Sequence, residues 1–124
     1  MEDGFMTFYD SKGKAVAYLD TDNTHIFLYN GKAAGYLNDD AVYSYGGKHL
    51  GWYEDGWIRD KNGKCVFFTE NTTGSGPVRP VKNVRPVKSV KSIKPVKSVK
   101  QVKSIKSAKS LSWSSLSGES FFNQ

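Results

Sequence analysis

Four glycine–lysine pairs constrain this chain more than any other feature: Gly13-Lys14, Gly31-Lys32, Gly47-Lys48 and Gly63-Lys64, spaced 18, 16 and 16 residues apart. Each pair has the same surroundings. Five residues after every glycine stands an aromatic (Tyr18, Tyr36, Trp52, Phe68), and five before it a large apolar residue (Phe8, Ile26, Val42, Ile58). The glycines fall where tight turns belong. Asn30-Gly31, Gly46-Gly47 and Asn62-Gly63 supply the positive φ of two-residue hairpin loops, and Lys12-Gly13 is a weaker version of the same signal. The flanks, as in HIFLYNGKAAGYL and AVYSYGGKHLGWY, are short, aromatic and β-branched, which is strand composition at hairpin spacing. The links DTDNT, NDD and EDG are acidic and turn-forming.

One hairpin cannot bury its apolar face alone. Four copies closed around an approximate four-fold axis can, and closure limits exposed sheet edges. The expected fold class is therefore all-β, four hairpins in pseudo-four-fold arrangement over residues 1–76. Tyr18, Tyr36, Trp52 and Phe68 form the expected hairpin core, meeting in the middle. Small residues before two of these aromatics, Ala34-Gly35 and Gly51 after Leu50, predict close approach of neighbouring strands.

From Val78 to Ser110 the chain changes character. Eleven triplets follow without a slip, each of Val, Ile or Ala, then Lys or Arg, then Ser, Pro, Asn or Gln. An α-helix would smear the apolar residues around its surface, and a strand would send successive ones to opposite faces. Polyproline II has three residues per turn and gives each residue type its own edge; thirty-three residues would reach roughly 100 Å. Pro80, Pro86 and Pro95 all take the third position, which fits that geometry. The expectation is an extended basic arm over 77–110, then an aromatic segment over 111–124.

Charge divides the chain at the same place. Residues 1–76 hold seven basic and eleven acidic residues, about −4; residues 77–124 hold eleven basic residues and Glu119, about +10. Such asymmetry makes the arm the part that seeks anionic surface. No basic n-region or apolar h-region marks a secretory signal in MEDGFMTFYD, and no apolar run is long enough for a transmembrane helix. The single Cys65 excludes an internal disulfide framework and fits a reducing compartment, so the expected location is cytoplasmic.

The motifs FYDSKGKAVAYL, IFLYNGKAAGYL and YGGKHLGWYEDGWIRDKNG, with the later PVKSVK repeat, SWSSLS and FF, resemble the four-fold beta-flower proteins. The resemblance runs over most of the chain. It implies a head of four β-hairpins and a bacterial setting, and it brings no catalytic residue with it.

Two function classes follow. In the first, the arm is an assembly element of a non-enzymatic structural or interaction protein. Its apolar edge (Val81, Val84, Val87, Val90, Ile93, Val96, Val99, Val102, Ile105) would lie against a protein surface, on its own head, a neighbour's or a partner's. Its cations (Arg79, Lys82, Arg85, Lys88, Lys91, Lys94, Lys97, Lys100, Lys103, Lys106, Lys109) would meet acidic surface. Trp113, Leu116, Phe121 and Phe122 would anchor the end. In the second, the cations track phosphates of nucleic acid without sequence preference. Against it, no aromatic lies between Pro77 and Ser112 to stack on bases. An anionic membrane is a third and weaker partner.

No residue cluster supports catalysis or a cofactor. His25 and His49 lack the further ligands a metal site needs. Cys65 reads as a small buried strand residue rather than a nucleophile. The link carboxylates (Asp20 and Asp22, Asp39 and Asp40, Glu54 and Asp55) read as turn residues that could also receive the lysine arm. The Gly–Lys pairs lack the longer glycine-rich span and following helix of a phosphate loop.

Overall fold

The computed structural model describes residues 4–124. Eight strands follow in order: β1 (Met6–Tyr9), β2 (Ala15–Leu19), β3 (His25–Leu28), β4 (Ala33–Asn38), β5 (Ala41–Tyr43), β6 (His49–Glu54), β7 (Trp57–Asp60) and β8 (Cys65–Phe68). Each pairs antiparallel with the next, and β8 returns to β1 through Tyr9 and Phe68, closing a barrel. The expected all-β, four-hairpin fold is what the chain adopts. A short 3₁₀ helix spans Glu119–Asn123. No helix among the described residues is long and apolar enough to cross a membrane.

The four Gly–Lys turns close identically, and not as two-residue loops. The Asp10 N–H donates to Lys14 O and the Gly13 N–H donates to Asp10 O; Leu28, Gly31 and Lys32 repeat this, as do Ser44, Gly47 and Lys48, and Asp60, Gly63 and Lys64. Three residues form each loop, and only its final glycine has positive φ, between 83° and 94°. This is a tight turn followed by one left-handed residue, the commonest three-residue hairpin connection. Asn30, Gly46 and Asn62 therefore need no positive φ, which corrects the two-residue reading.

Each hairpin also carries one register shift at the same place: Phe8/Tyr9, Ile26/Phe27, Val42/Tyr43 and Ile58/Arg59. The bulge adds a residue on the returning strand, so two consecutive side chains can face one way. Val16 and Ala17, Leu50, and Val66 and Phe67 share one core with Phe8, Ile26, Val42 and Ile58. Those last four are fully buried. They stand opposite Ala17, Gly35, Gly51 and Phe67. A Cβ on Gly35 would come 2.6 Å from Tyr43 O on the next strand, and one on Gly51 would overlap Arg59 O. The close approach expected at these two glycines is present.

Tyr18, Tyr36, Trp52 and Phe68 do not meet in the middle. They are buried in a second cluster, with Tyr9, Phe27, Tyr29, Tyr43, Tyr45 and Trp57. The reason is strand periodicity. A residue one place further along than the inward Ala17, Gly35, Gly51 or Phe67 points to the opposite face. The aromatics thus form an outer ring around the barrel, and the arm covers them.

Inside, Phe121 and Phe122 complete the filling. Both pack on Phe67, at ring-centroid distances of 6.0 and 5.6 Å. The segment leading to them follows the β8 side of the seam, where β1 and β8 share the single pair Tyr9–Phe68. The Cys65 N–H donates to Ser112 O, and the Ser114 N–H donates to Cys65 O. Ser117 Oγ then accepts from the Ser11 N–H and donates to Val66 O, spanning the seam. Cys65 is fully buried, and burial pushes its thiol up to about 11, far from a nucleophile's range.

Candidate interaction surface

The arm meets the four hairpins in order and so makes one circuit of the barrel. The amides of Asn83, Ser92, Gln101 and Ser110 donate to the carbonyls of Gly13, Gly31, Gly47 and Gly63, at 2.8, 2.8, 2.8 and 3.0 Å. These donors are nine residues apart, three triplets for each hairpin. Ser89 and Ser98, again nine apart, donate to Tyr29 O and Tyr45 O at 2.9 Å. At each turn the carbonyl of Val81, Val90, Val99 or Ala108 lies where a Cβ would stand on the glycine. The turn glycines are thus required twice, by φ and by the passage of the arm. Two third-position side chains reach strand starts: Ser92 Oγ accepts from the Ala33 N–H, and Gln101 Oε1 from the His49 N–H.

The cationic edge lies on the outer aromatic ring with the same nine-residue step. Lys88 sits 4.7 Å from the Tyr18 centroid, Lys97 4.4 Å from Tyr36, and Lys106 4.8 Å from Trp52. Lys88 also stands 3.6 Å from Phe5. An ammonium over a ring face within about 6 Å is attracted by the ring quadrupole. The link carboxylates also take cations, Lys106 among them: Lys91–Asp20 at 3.0 Å, Lys103–Asp39 at 3.7 Å, Lys106–Asp40 at 2.7 Å with Glu54 beside it, and Lys109–Asp55 at 2.9 Å. The hydrogen bond from Lys106 holds the Asp40 carboxyl below its ordinary value, and that from Lys109 does the same for Asp55. Half-exposed pairs of this kind fix register more than they add stability.

A buried arginine ties the two ends of the arm. Arg59 Nη1 donates to Gly63 O and Ser110 O, both at 2.7 Å, and Nη2 donates to Ser75 O at 2.6 Å. Around it the aromatics overlap the ends: Trp57 Nε1 donates to Thr73 O, and Trp113 Nε1 donates to Val78 O. Trp113 packs edge-on against both Trp57 and Phe68. Nothing in the sequence marked Arg59 out, because one arginine in a strand carries no spacing signal. The register residues had one cue: Asn83 and Gln101 break the Ser/Pro pattern eighteen residues apart.

The apolar edge does not lie on the head. Val81, Val84, Val87, Val90, Ile93, Val96, Val99, Val102 and Ile105 are all between 88% and 95% exposed. The expectation that these side chains rest against their own head is corrected: cations and third-position residues make the contacts, and the aliphatic row faces out. The geometry leaves no other choice. With one edge on rings and carboxylates and a second on turn carbonyls, the third must point away.

The histidines take separate roles. His25 is hydrogen-bonded to Asp22 at 2.6 Å. Burial pushes the Asp22 carboxyl up, but the His25 backbone and side-chain hydrogen bonds, with that of Thr24, bring it to about 2. His49 is almost fully buried. Its Nε2 faces Gly51 O at 2.9 Å, and its Nδ1 accepts the Ser104 N–H of the arm at 3.2 Å. Burial pushes the His49 pKa down, so the ring is neutral, with its proton assigned to Nε2. No group of three or more His, Cys, Asp or Glu placed to hold a metal ion occurs among the described residues.

Four bulged hairpins closed into a small barrel, with a repeat-bearing arm in nine-residue register, define a pseudo-four-fold β-hairpin protein. The chain belongs to the 4-fold beta flower proteins: that family's model matches residues 6–122, taking in the head, the arm and both C-terminal phenylalanines. Neither a curated protein nor a solved structure matches it.

Proposed function

We propose that this is a non-enzymatic structural protein, cytoplasmic, whose basic arm docks on its own head in polyproline II geometry and presents an interaction surface outward. One observation carries the reading: the arm's amide donors fall every nine residues on four equivalent turn carbonyls. A floppy cationic tail has no reason to match the hairpin count in this way. The nucleic-acid alternative is disfavoured by where the cations go. A phosphate backbone would have to draw Lys88, Lys97 and Lys106 off aromatic rings and Lys91 and Lys109 off carboxylates.

Amide hydrogen exchange on the whole chain tests this. Asn83, Ser92, Gln101 and Ser110 are expected to be protected, with the intervening valine amides exchanging fast. Uniform, coil-like exchange along 78–110 would refute docking in cis. Random-sequence duplex DNA at low salt is expected to leave that protection pattern unchanged; binding that collapses steeply as salt rises would favour the alternative.

A further inference from the structure

The outward aliphatic row, already bared by the docked arm of the proposed function, has one property that selects its partner. We propose that it is a self-association surface, and that its occupant is the same row on a second copy of this chain.

Three observations support a second copy over a foreign surface. The first is charge. Lys91, Lys97, Lys103, Lys106 and Lys109 are turned inward, onto Asp20, Asp39, Asp40, Glu54 and Asp55 or onto the Tyr36 ring, so at these places two arms can approach without lysine facing lysine. The second is spacing. Side chains three residues apart in an extended three-fold arm stand about 9 Å from each other, a gap that seats one aliphatic side chain of a like row. A partner with that repeat already exists in every copy. The third is area. A single quarter of the circuit offers three side chains, such as Val87, Val90 and Ile93, each giving on the order of 100 Å². That is well short of the ~800 Å² each partner commits to a stable pairwise interface. The exposed row, however, continues from Val78 to Ile105, around the barrel. The surface therefore fits weak contacts made on several sides at once, in which avidity replaces pairwise strength.

The test is sedimentation of the full-length chain from about 10 µM to about 1 mM, the range where interfaces below standard size assemble. The mass is expected to rise with concentration, and to rise no less at 0.5 M than at ~0.1 M sodium chloride, since apolar contact is not screened. A variant with Val84, Val87, Ile93, Val96, Val102 and Ile105 each replaced by serine is expected to weaken assembly at least about tenfold. Those side chains are more than nine-tenths exposed in the monomer, so the amides of Ser92 and Gln101 should stay protected in that variant, showing that its arm is still docked. A wild-type chain that stays monomeric throughout, assembly that dissolves in salt, or a serine variant that assembles equally well would each overturn the proposal. Failure of the docked-arm reading looks different: the arm amides themselves would be unprotected.

Discussion

Inward, the eight strands meet aliphatic side chains and two phenylalanines delivered from far along the chain; outward, they meet a ring of tyrosines and tryptophans roofed by lysines. The inner face is ordinary close packing, with Phe8, Ile26, Val42 and Ile58 fully buried. The outer face is as buried, but what covers it is a cation-bearing edge held by periodic hydrogen bonds. Burial of a sheet's second face therefore does not require a second apolar layer. Aromatic rings accept an ammonium on their faces while their area leaves water, and the lysine stems supply apolar cover. The aliphatic residues of the arm are then free to point elsewhere.

Three perturbations probe how far the two faces differ. The largest effect is expected from Phe67→Ala on the inner face, which removes contacts to Phe8, Phe121 and Phe122. A loss of about 3–5 kcal/mol is expected by chemical denaturation, with head and arm unfolding together. Next is Arg59→Leu, which deletes charge-assisted hydrogen bonds to three carbonyls: Ser75 O just before the arm, Ser110 O at its end and Gly63 O in the fourth hairpin turn. About 2–3 kcal/mol should be lost. Amide exchange should show the difference in kind: protection at Ser92 and Gln101 falls while β-strand amides keep theirs. If the strands lose protection equally, arm and barrel are one cooperative unit and the contrast between faces is energetic only.

The smallest effect is a pH dependence at His49, which faces Lys61, Lys103 and Asp40 and accepts the Ser104 amide. Burial lowers its folded-state pKa below the ordinary 6.5. The unfolded chain therefore binds the proton first as pH falls. The stability contribution is complete above 6.5 and is lost as pH drops from there through the lowered folded value. Protonation of Nδ1 also removes the acceptor for Ser104. The protection factor of Ser104, taken against intrinsic exchange at each pH, should fall before that of Ser92 as pH drops from 7 to 5, and His49→Gln should flatten the profile.

The hairpins were legible because turns announce themselves: a glycine followed by lysine, at constant distance from an aromatic, fixes strand count and spacing. The facing of the strands was not. A segment such as Ala15–Leu19 is apolar at every position, so no polar alternation tells inside from outside, and the bulge at each hairpin shifts the count by one more. The triplet period was plain, and so was its three-edged geometry. Which edge would be bound was hidden, because aliphatic residues usually seek cover and here the lysines take it. That outcome depends on the aromatics Tyr18, Tyr36, Trp52 and Phe68, which the repeat spacing had placed in the middle and which instead face out.

Phe121 and Phe122 lie inside the barrel yet come after the whole arm. During synthesis, all eight strands leave the ribosome long before the rings that fill their interior. A nascent chain halted anywhere in the triplets would own every hairpin and still enclose a void. Completion therefore waits on contacts between residues far apart in sequence, such as Phe67 with Phe121, and chains governed by such distant pairings fold slowly.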